Sequence, residues 1–262
     1  MFIDFHTHGK LAKKLPFSME YTDWLLGEAR GAGLDAICLT EHFNTLQFDE
    51  LYEYLMKKCK REGDTLATQE GLHIFAGMET DIQEGGHILS IGTPETILEL
   101  NAKLEPYKQK KHFLPFEKLM DLFDHYPVIV GGAHPFREGG HIPDLPEEQL
   151  RRLYFLDLNG KDVAIDKAYF EEETSALAKK LGIPMISGSD THQAVQYGCV
   201  RTNFAKTVDT VDALYEEMKK GDYLIEVSPM ASFQVKTASV LKKSLKEIHA
   251  LGGDYVSVLV DK

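Results

Sequence analysis

Residues 1–10 read MFIDFHTHGK, a short apolar β-type run that stops on His6-Thr7-His8. In a strand, side chains two apart point to the same face, so Asp4, His6 and His8 should share one face and Phe5 and Thr7 the other. Two imidazoles at this spacing can hold one divalent ion. An isolated His-x-His is more often a pair of partly exposed histidines. The pattern gains weight from its recurrence at residues 184–192, PMISGSDTH, where Asp190 and His192 stand two apart after another apolar run.

Between these ends, short β-type runs alternate with helix-type stretches. The runs are FIDF, AICLT, HIFAGME, HILSIG, VIVGGA, YFLDL, PMISGS, YLIEV and a last run, YVSVLV. Helical periodicity predicts helices over 21–32, 48–62, 116–124, 167–181, 208–219 and 232–251. Glycines follow several of them, as at helix C-termini. Alternation over this length implies a parallel sheet covered by helices. Candidate ligands follow at least five strand-type runs: His6 and His8, His42, Glu79, His134, and Asp190 with His192. Only a closed ring brings that many strand ends to one centre, which favours a barrel over an open sheet. No Gly-rich phosphate loop is present.

The chain has 262 residues, 43% of them hydrophobic and 27% charged. That suffices for one large domain with a substantial core. No apolar run is long enough to span a bilayer, and the N-terminus lacks a signal-peptide layout, so a cytoplasmic location is expected. Cys38, Cys59 and Cys199 cannot all pair and show no C-x-x-C spacing, so none is assigned a catalytic role. The net charge of −12 argues against sequence-independent binding of nucleic acid. It does not exclude a small anionic substrate, because bound divalent ions make a pocket locally positive.

Together the motifs FIDFHTHG, LTEH, GMET, AHPF and GSDTH resemble the PHP (polymerase and histidinol phosphatase) family of metal-dependent phosphoesterases. They stand in family order from residue 4 to residue 192. The resemblance implies an α/β fold, a distorted (β/α)7 TIM-like barrel, here a single domain over 1–262. The metal-site motifs occupy 4–192, and a family-like extension occupies about 193–262. It also implies two or three divalent ions, with zinc, manganese and iron all suited to these donors. His6, His8, Glu79 and Asp190 would hold the first; His42 and His192 would serve a second; Glu79 would bridge to a third held with His87 and His134. Many members place a further histidine or aspartate just after His-x-His. Here GKLAKKLPFSMEY contains no histidine, and Lys10, Lys13 and Lys14 are cationic, leaving the second site short of a ligand.

The expected chemistry is release of phosphate from a small phosphorylated substrate. Divalent ions lower the pKa of bound water from 15.7 to about 7. Arg137 is the first candidate for a phosphate contact, Arg201 the second, and His192 counts both as ligand and as catalytic residue. Asp4 and Glu41 are cast as partners orienting ligands. Lys13, Lys14 and His141 lie in loops that could face the site; His73, His112, His125 and His249 receive structural or surface roles. The alternatives are an amidohydrolase-type metallohydrolase and a non-catalytic metal-binding regulatory module.

Overall fold

In the computed structural model, which describes residues 1–260, the elements run in chain order. They are β1 (Phe2–Thr7), α1 (Met19–Gly31), β2 (Ala36–His42), α2 (Phe48–Lys58), β3 (Lys60–Glu62), β4 (Thr65–Ala67), β5 (His73–Asp81) and β6 (His87–Gly92). Then follow α3 (Pro94–Lys103), α4 (Phe116–Phe123), β7 (Ile129–Ala133), α5 (Glu147–Leu150), β8 (Phe155–Asn159), α6 (Gly160–Leu181), β9 (Met185–Gly188), β10 (Val200–Phe204), α7 (Val211–Lys220), β11 (Tyr223–Val227) and α8 (Ala231–Ala250).

The strands lie in the order β11-β10-β1-β2-β5-β6-β7-β8-β9. Seven of them (β1, β2, β5, β6, β7, β8 and β9) curl into a nearly closed ring. The expected α/β barrel is therefore present, but its sheet is mixed rather than parallel. β6 runs antiparallel to both β5 and β7. The cause is the segment Ile82–Gly86, a tight hairpin turn with Gly85 and Gly86 at positive φ, too short to hold a crossover helix. β10 and β11 extend the sheet beyond β1 as antiparallel strands.

The ring closes at the functional end. Beyond β9, Thr191 forms a parallel bridge with Thr7. His8 N–H donates to the Thr191 carbonyl (3.0 Å), and Asp190 N–H donates to the His6 carbonyl (2.7 Å). The His-x-His and Ser-Asp-x-His segments are thus each other's hydrogen-bonding partners. Gly188 permits this approach, since a Cβ there would stand 2.3 Å from the Cβ of His6.

One parity of side chain from each ring strand fills the interior: Phe5, Cys38, Phe75, Leu89, Ala133, Phe155 and Ile186 pack in one cluster. The other parity, including Ile37, Leu39, Ile74 and Met78, packs under the helices. β1 departs from strict alternation. Its register against β2 shifts between Asp4 and Thr7, a bulge that lets both Phe5 and His6 face inward. Asp4 consequently leaves the face of His6 and His8. Its Oδ1 accepts the backbone N–H groups of His6 (3.2 Å) and Ser189 (2.8 Å), so it fixes the bulge and the β9 end rather than a ligand ring.

Three sequence expectations need correction. YVSVLV forms turns after α8, not a strand, and its Tyr255 is buried beside Tyr21. The helix expected over 48–62 ends at Lys58, because Lys60–Glu62 pairs with β4 in a small hairpin. The helix expected from 167 begins at Gly160 and is kinked at Asp166 (φ −148°, ψ 92°). Helix α3 and strand β10 went unforeseen. The alternating VRTNF of β10 has only two large apolar residues, too weak a signal for a strand.

Candidate metal centre

Glu79, at the end of β5, is the centre of the site. Its carboxylate is buried and its two oxygens divide the surrounding imidazoles. Oε1 faces His87 Nδ1 (2.9 Å), His134 Nε2 (3.2 Å) and His6 Nε2 (3.5 Å). Oε2 faces His42 Nδ1 (2.8 Å) and His8 Nε2 (3.6 Å). A carboxylate whose two oxygens each look into a separate cluster of nitrogens is shaped to bridge two cations.

Three sets of donors come within reach of a common centre: His6, Glu79 and His134; His6, His8 and Asp190; and His8, His42 and His192. Seven of the eight residues proposed from sequence as ligands fall in these sets, and His87 joins them through Glu79 Oε1 (2.9 Å). The grouping departs from the expected one: His6, not His87, falls with Glu79 and His134, and Glu79 falls outside the set of His6, His8 and Asp190. His8 joins His42 and His192, with its ring stacked 4.1 Å from His192 and 4.4 Å from His42. The second set thus draws its third donor from the His-x-His motif itself. Lys10 does not fill that place: its ammonium bonds Thr45 Oγ1 (3.1 Å) and the Leu46 carbonyl, while its own carbonyl lies 2.9 Å from His192 Nδ1. Lys13 reaches the rim, 3.9 Å from Asp81, which also lies 3.1 Å from His87 Nε2.

The buried donors are not satisfied by one another. His6 Nε2, both ring nitrogens of His8, His42 Nδ1 and Glu79 Oε2 have no hydrogen-bond partner. The short His42–Glu79 approach is off hydrogen-bond geometry. So many unpartnered buried polar atoms at one point would be costly in a site meant to stay as it stands. They fit divalent ions, for which imidazole and carboxylate are the right donors. The buried His, Asp and Glu groups thus fit a multinuclear metal site.

The electrostatics point the same way. Burial pushes the His6 imidazole down, but Glu79 and a hydrogen bond to Asp157 overcome this and lift it to about 10. His87 also rises to about 10 against burial, through Glu79 and Asp81. Glu79 is held well below the carboxylate range, since His87, His42 and His6 outweigh its burial. His134 falls to about 3, through burial and the nearby Arg137 guanidinium. His192 falls well below its usual value through burial, His8 and Lys242. The pocket demands positive charge around its carboxylates, and protons or metal ions compete to supply it.

Outer partners orient the donors. His6 Nδ1 lies 3.1 Å from Asp157 Oδ2, and Asn159 Nδ2 donates to the same oxygen (2.9 Å). His8 Nδ1 lies 3.6 Å from Glu41 Oε1, and Gly9 N–H donates to Glu41 Oε2 (3.1 Å). Glu41 thus stands beside the His8 ring, short of hydrogen-bond contact with it. Arg137 donates to Asp190 (2.9 Å), Asp162 (2.9 Å) and Asn159 (2.6 Å). It reaches the site with three of its five N–H groups on protein acceptors, one of them Asp190, which it positions. Arg201 is a correction. It lies over the Phe2 ring at 3.9 Å and pairs with Glu226 (2.8 Å), on the outer side of the sheet and away from the cluster. The antiparallel course of β10, which follows Asp190 and His192 in sequence, carries it off.

Asp157, Asn159, Lys161 and Asp162 were not foreseen. All lie in FLDLNGKD, where β8 ends and α6 begins. Asp157 and Asn159 stand two apart at a strand end, as Asp190 and His192 do, and that spacing was the available signal. Lys161 Nζ lies 2.8 Å from Asp190 Oδ1.

Residues 172–223 match the PHP-associated family. No curated protein matches the chain. Among solved structures, PsfC from Pseudomonas syringae PB-5123 shares the fold with a TM-score of 0.76 and 22% identity, over 93% of this chain and 98% of that one. The lesion-specific endonuclease PfuEndoQ from Pyrococcus furiosus matches with a TM-score of 0.61 and 18% identity, over 86% of this chain and 58% of that one. An amidohydrolase from Chromobacterium violaceum, with bound sulfate, matches with a TM-score of 0.52 and 13% identity, over 85% of this chain and 97% of that one. At these identities the likeness is one of fold, and the PHP-type barrel anticipated from the motifs is the fold found. Among the described residues no helix is long and apolar enough to cross a membrane.

Proposed function

We propose that the chain is a metal-dependent hydrolase, and more specifically a phosphoesterase that releases phosphate from a small phosphorylated substrate. The observation that carries this is the arrangement around Glu79: five imidazoles, divided between its two oxygens, with buried ring nitrogens left unpaired. His6, Glu79 and Asp190 would hold one ion, His42 and His192 a second, with His8 serving one of these two, and His87 and His134 with Glu79 a third. Zinc, manganese and iron all suit these donors. Bound there, such ions supply an acidified water and neutralise charge building on phosphoryl oxygens.

The protein's own groups have assignable tasks. Asp157 holds the His6 ring at the required angle, and Glu41 supplies negative charge beside His8. Arg137 fixes Asp190, whose backbone sits at positive φ (56°), a conformation that needs such support. The opening is on the side of His42 and His87, whose side chains are 16% and 30% exposed while those of His6 and His8 are sealed. Substrate would enter there, and the barrel floor excludes bulk water below. The carboxy-terminal elements support a single domain over 1–262, since Tyr255 packs on Tyr21, whose hydroxyl donates to the His192 carbonyl (2.5 Å).

The test is a phosphate-release screen of metal-loaded protein against phosphomonoesters and diesters, with metal content measured on the same sample. Release that is lost in His6→Ala and Asp190→Ala supports the reading. Amide or lactone hydrolysis without any phosphate release would favour the amidohydrolase alternative. Bound metal with no turnover of either kind would favour a regulatory module.

A further inference from the structure

The junction of β8 with α6 meets the centre at Asp190. Gly160 allows the approach, since a Cβ there would stand 2.5 Å from Cys199 Sγ and 3.2 Å from the Ser189 Cα. Asn159 caps α6 by accepting the Lys161 N–H (3.0 Å), which fixes the root of that side chain. The Lys161 ammonium then lies 2.8 Å from Asp190 Oδ1. Oδ1 also faces His8 Nε2 (3.4 Å), while Oδ2 accepts from Arg137 (2.9 Å).

Both oxygens of Asp190 are thus held by side-chain cations. The one turned toward the set that Asp190 forms with His6 and His8 is held by Lys161. An ammonium and a divalent ion on one carboxylate oxygen repel each other across a few ångströms, so Lys161 and a metal ion compete for it. The two cations at Asp190 differ in what else holds them. Arg137 is also tied to Asp162 and Asn159. Among the described residues Lys161 has no acceptor besides Asp190, and its side chain is 30% exposed, with room to turn on a flexible stem. Once displaced from Asp190, its ammonium stays tethered beside the centre by the start of α6.

We propose that Lys161 is an exchanging phosphate contact: its ammonium neutralises Asp190 in the metal-free protein, yields Oδ1 when a divalent ion binds, and then pairs with a phosphoryl oxygen of the substrate. This rests on the phosphoesterase reading for the identity of the anion. It goes beyond that reading by giving the two binding events an order, metal before substrate, because only the ion releases the ammonium.

The experiment measures two affinities in the full-length protein: zinc, by competition with a chromophoric chelator, and inorganic phosphate, by calorimetric titration of zinc-loaded samples of determined metal content. The variants are K161M, K161Q and K161R, with K167M at an exposed position of the same helix as a control; a thermal melt verifies folding in each. In K161M and K161Q the two affinities should move in opposite directions. Zinc should bind about tenfold more tightly, since no ammonium competes for Asp190. Phosphate should bind about tenfold to a hundredfold more weakly. K161R should keep most of the phosphate affinity, and K167M should match the wild type in both. In chelated protein, the wild type should bind phosphate no more tightly than K161M. A lysine with a purely structural role would weaken both affinities together or neither. Zinc affinity that falls or stays the same in K161M and K161Q overturns the proposal. So does phosphate affinity unchanged at equal zinc content, or absence of phosphate binding by the zinc-loaded wild type. If both affinities shift as expected while no phosphate ester is turned over, the Lys161 exchange stands and the phosphoesterase reading fails instead.

Discussion

Replacing Glu79 by glutamine tests the electrostatic core of the site. The substitution keeps shape and removes one charge from among five imidazoles. A unit charge 2.9–3.5 Å from an imidazolium is worth about 5 kcal/mol at an effective dielectric near 20, or ~3.5 pK units. That is the scale by which His6 and His87 rise from 6.5 to about 10 against their own burial. In E79Q the Asp157 and Asp81 partners remain, so each imidazole should titrate at least ~2 units lower than in the wild type. Proton-detected histidine titration of chelated protein from pH 5 to pH 11 reads this directly. Easier deprotonation alone would improve metal binding at neutral pH. Loss of the bridging charge acts the other way and is larger for a divalent ion, so metal content should fall by at least one ion per chain. Imidazoles still titrating near 10 in E79Q, or unchanged metal content, would refute the assignment of Glu79 as the hub.

Further outcomes follow from the same geometry. Because His6 and His87 hold protons up to about pH 10, cations must displace them, so metal affinity should rise with pH through the neutral range. Adding metal at pH 7 in weak buffer should release at least two protons per chain, from His6 and His87, with His8, also raised, adding to them; an indicator dye measures this. Asp157→Asn should weaken metal binding about 10–100-fold in chelator competition, since it loosens the His6 ring without removing a donor. Gly188→Ala should cost on the order of 2–4 kcal/mol in denaturant unfolding, because the new Cβ would collide with the His6 backbone at 2.6 Å. Lys242 titrates at about 8 when folded, against 10.5 as its ordinary value. The charged form is therefore penalised, fully so below pH 8, and the penalty fades as pH rises toward 10.5. K242M should accordingly melt at a higher temperature than the wild type at pH 7, with the gap closing in alkali.

The mixture of legible and hidden features follows physical lines. The proposed metal ligands were visible in sequence because all but one stand at the close of a β-type run, and a barrel carries strand ends to one place; His87 instead opens β6, whose antiparallel course brings its start to that same end. Arg137 was visible for the same reason, but what it touches was not. Its partners Asp162 and Asn159 come from the next strand–helix unit, and sequence carries no record of which acceptor a long flexible side chain will meet. Arg201 failed because nearness along the chain to Asp190 was taken as nearness in space, while β10 turns back antiparallel. Asp4 failed because a one-residue bulge reverses the parity on which its placement rested, and alternation cannot reveal a bulge.

By itself, then, the order of residues determined the α/β barrel and the donor set, since hydrophobic periodicity and the chemistry of imidazole and carboxylate are local properties. Only the tertiary structure decided how the donors are shared: that the two oxygens of Glu79 separate two clusters, and that His8 falls within reach of His42 and His192. Those are distances between residues far apart in the chain. They are set by ring closure, by a bulge in β1 and by helix packing, none of which a linear pattern contains.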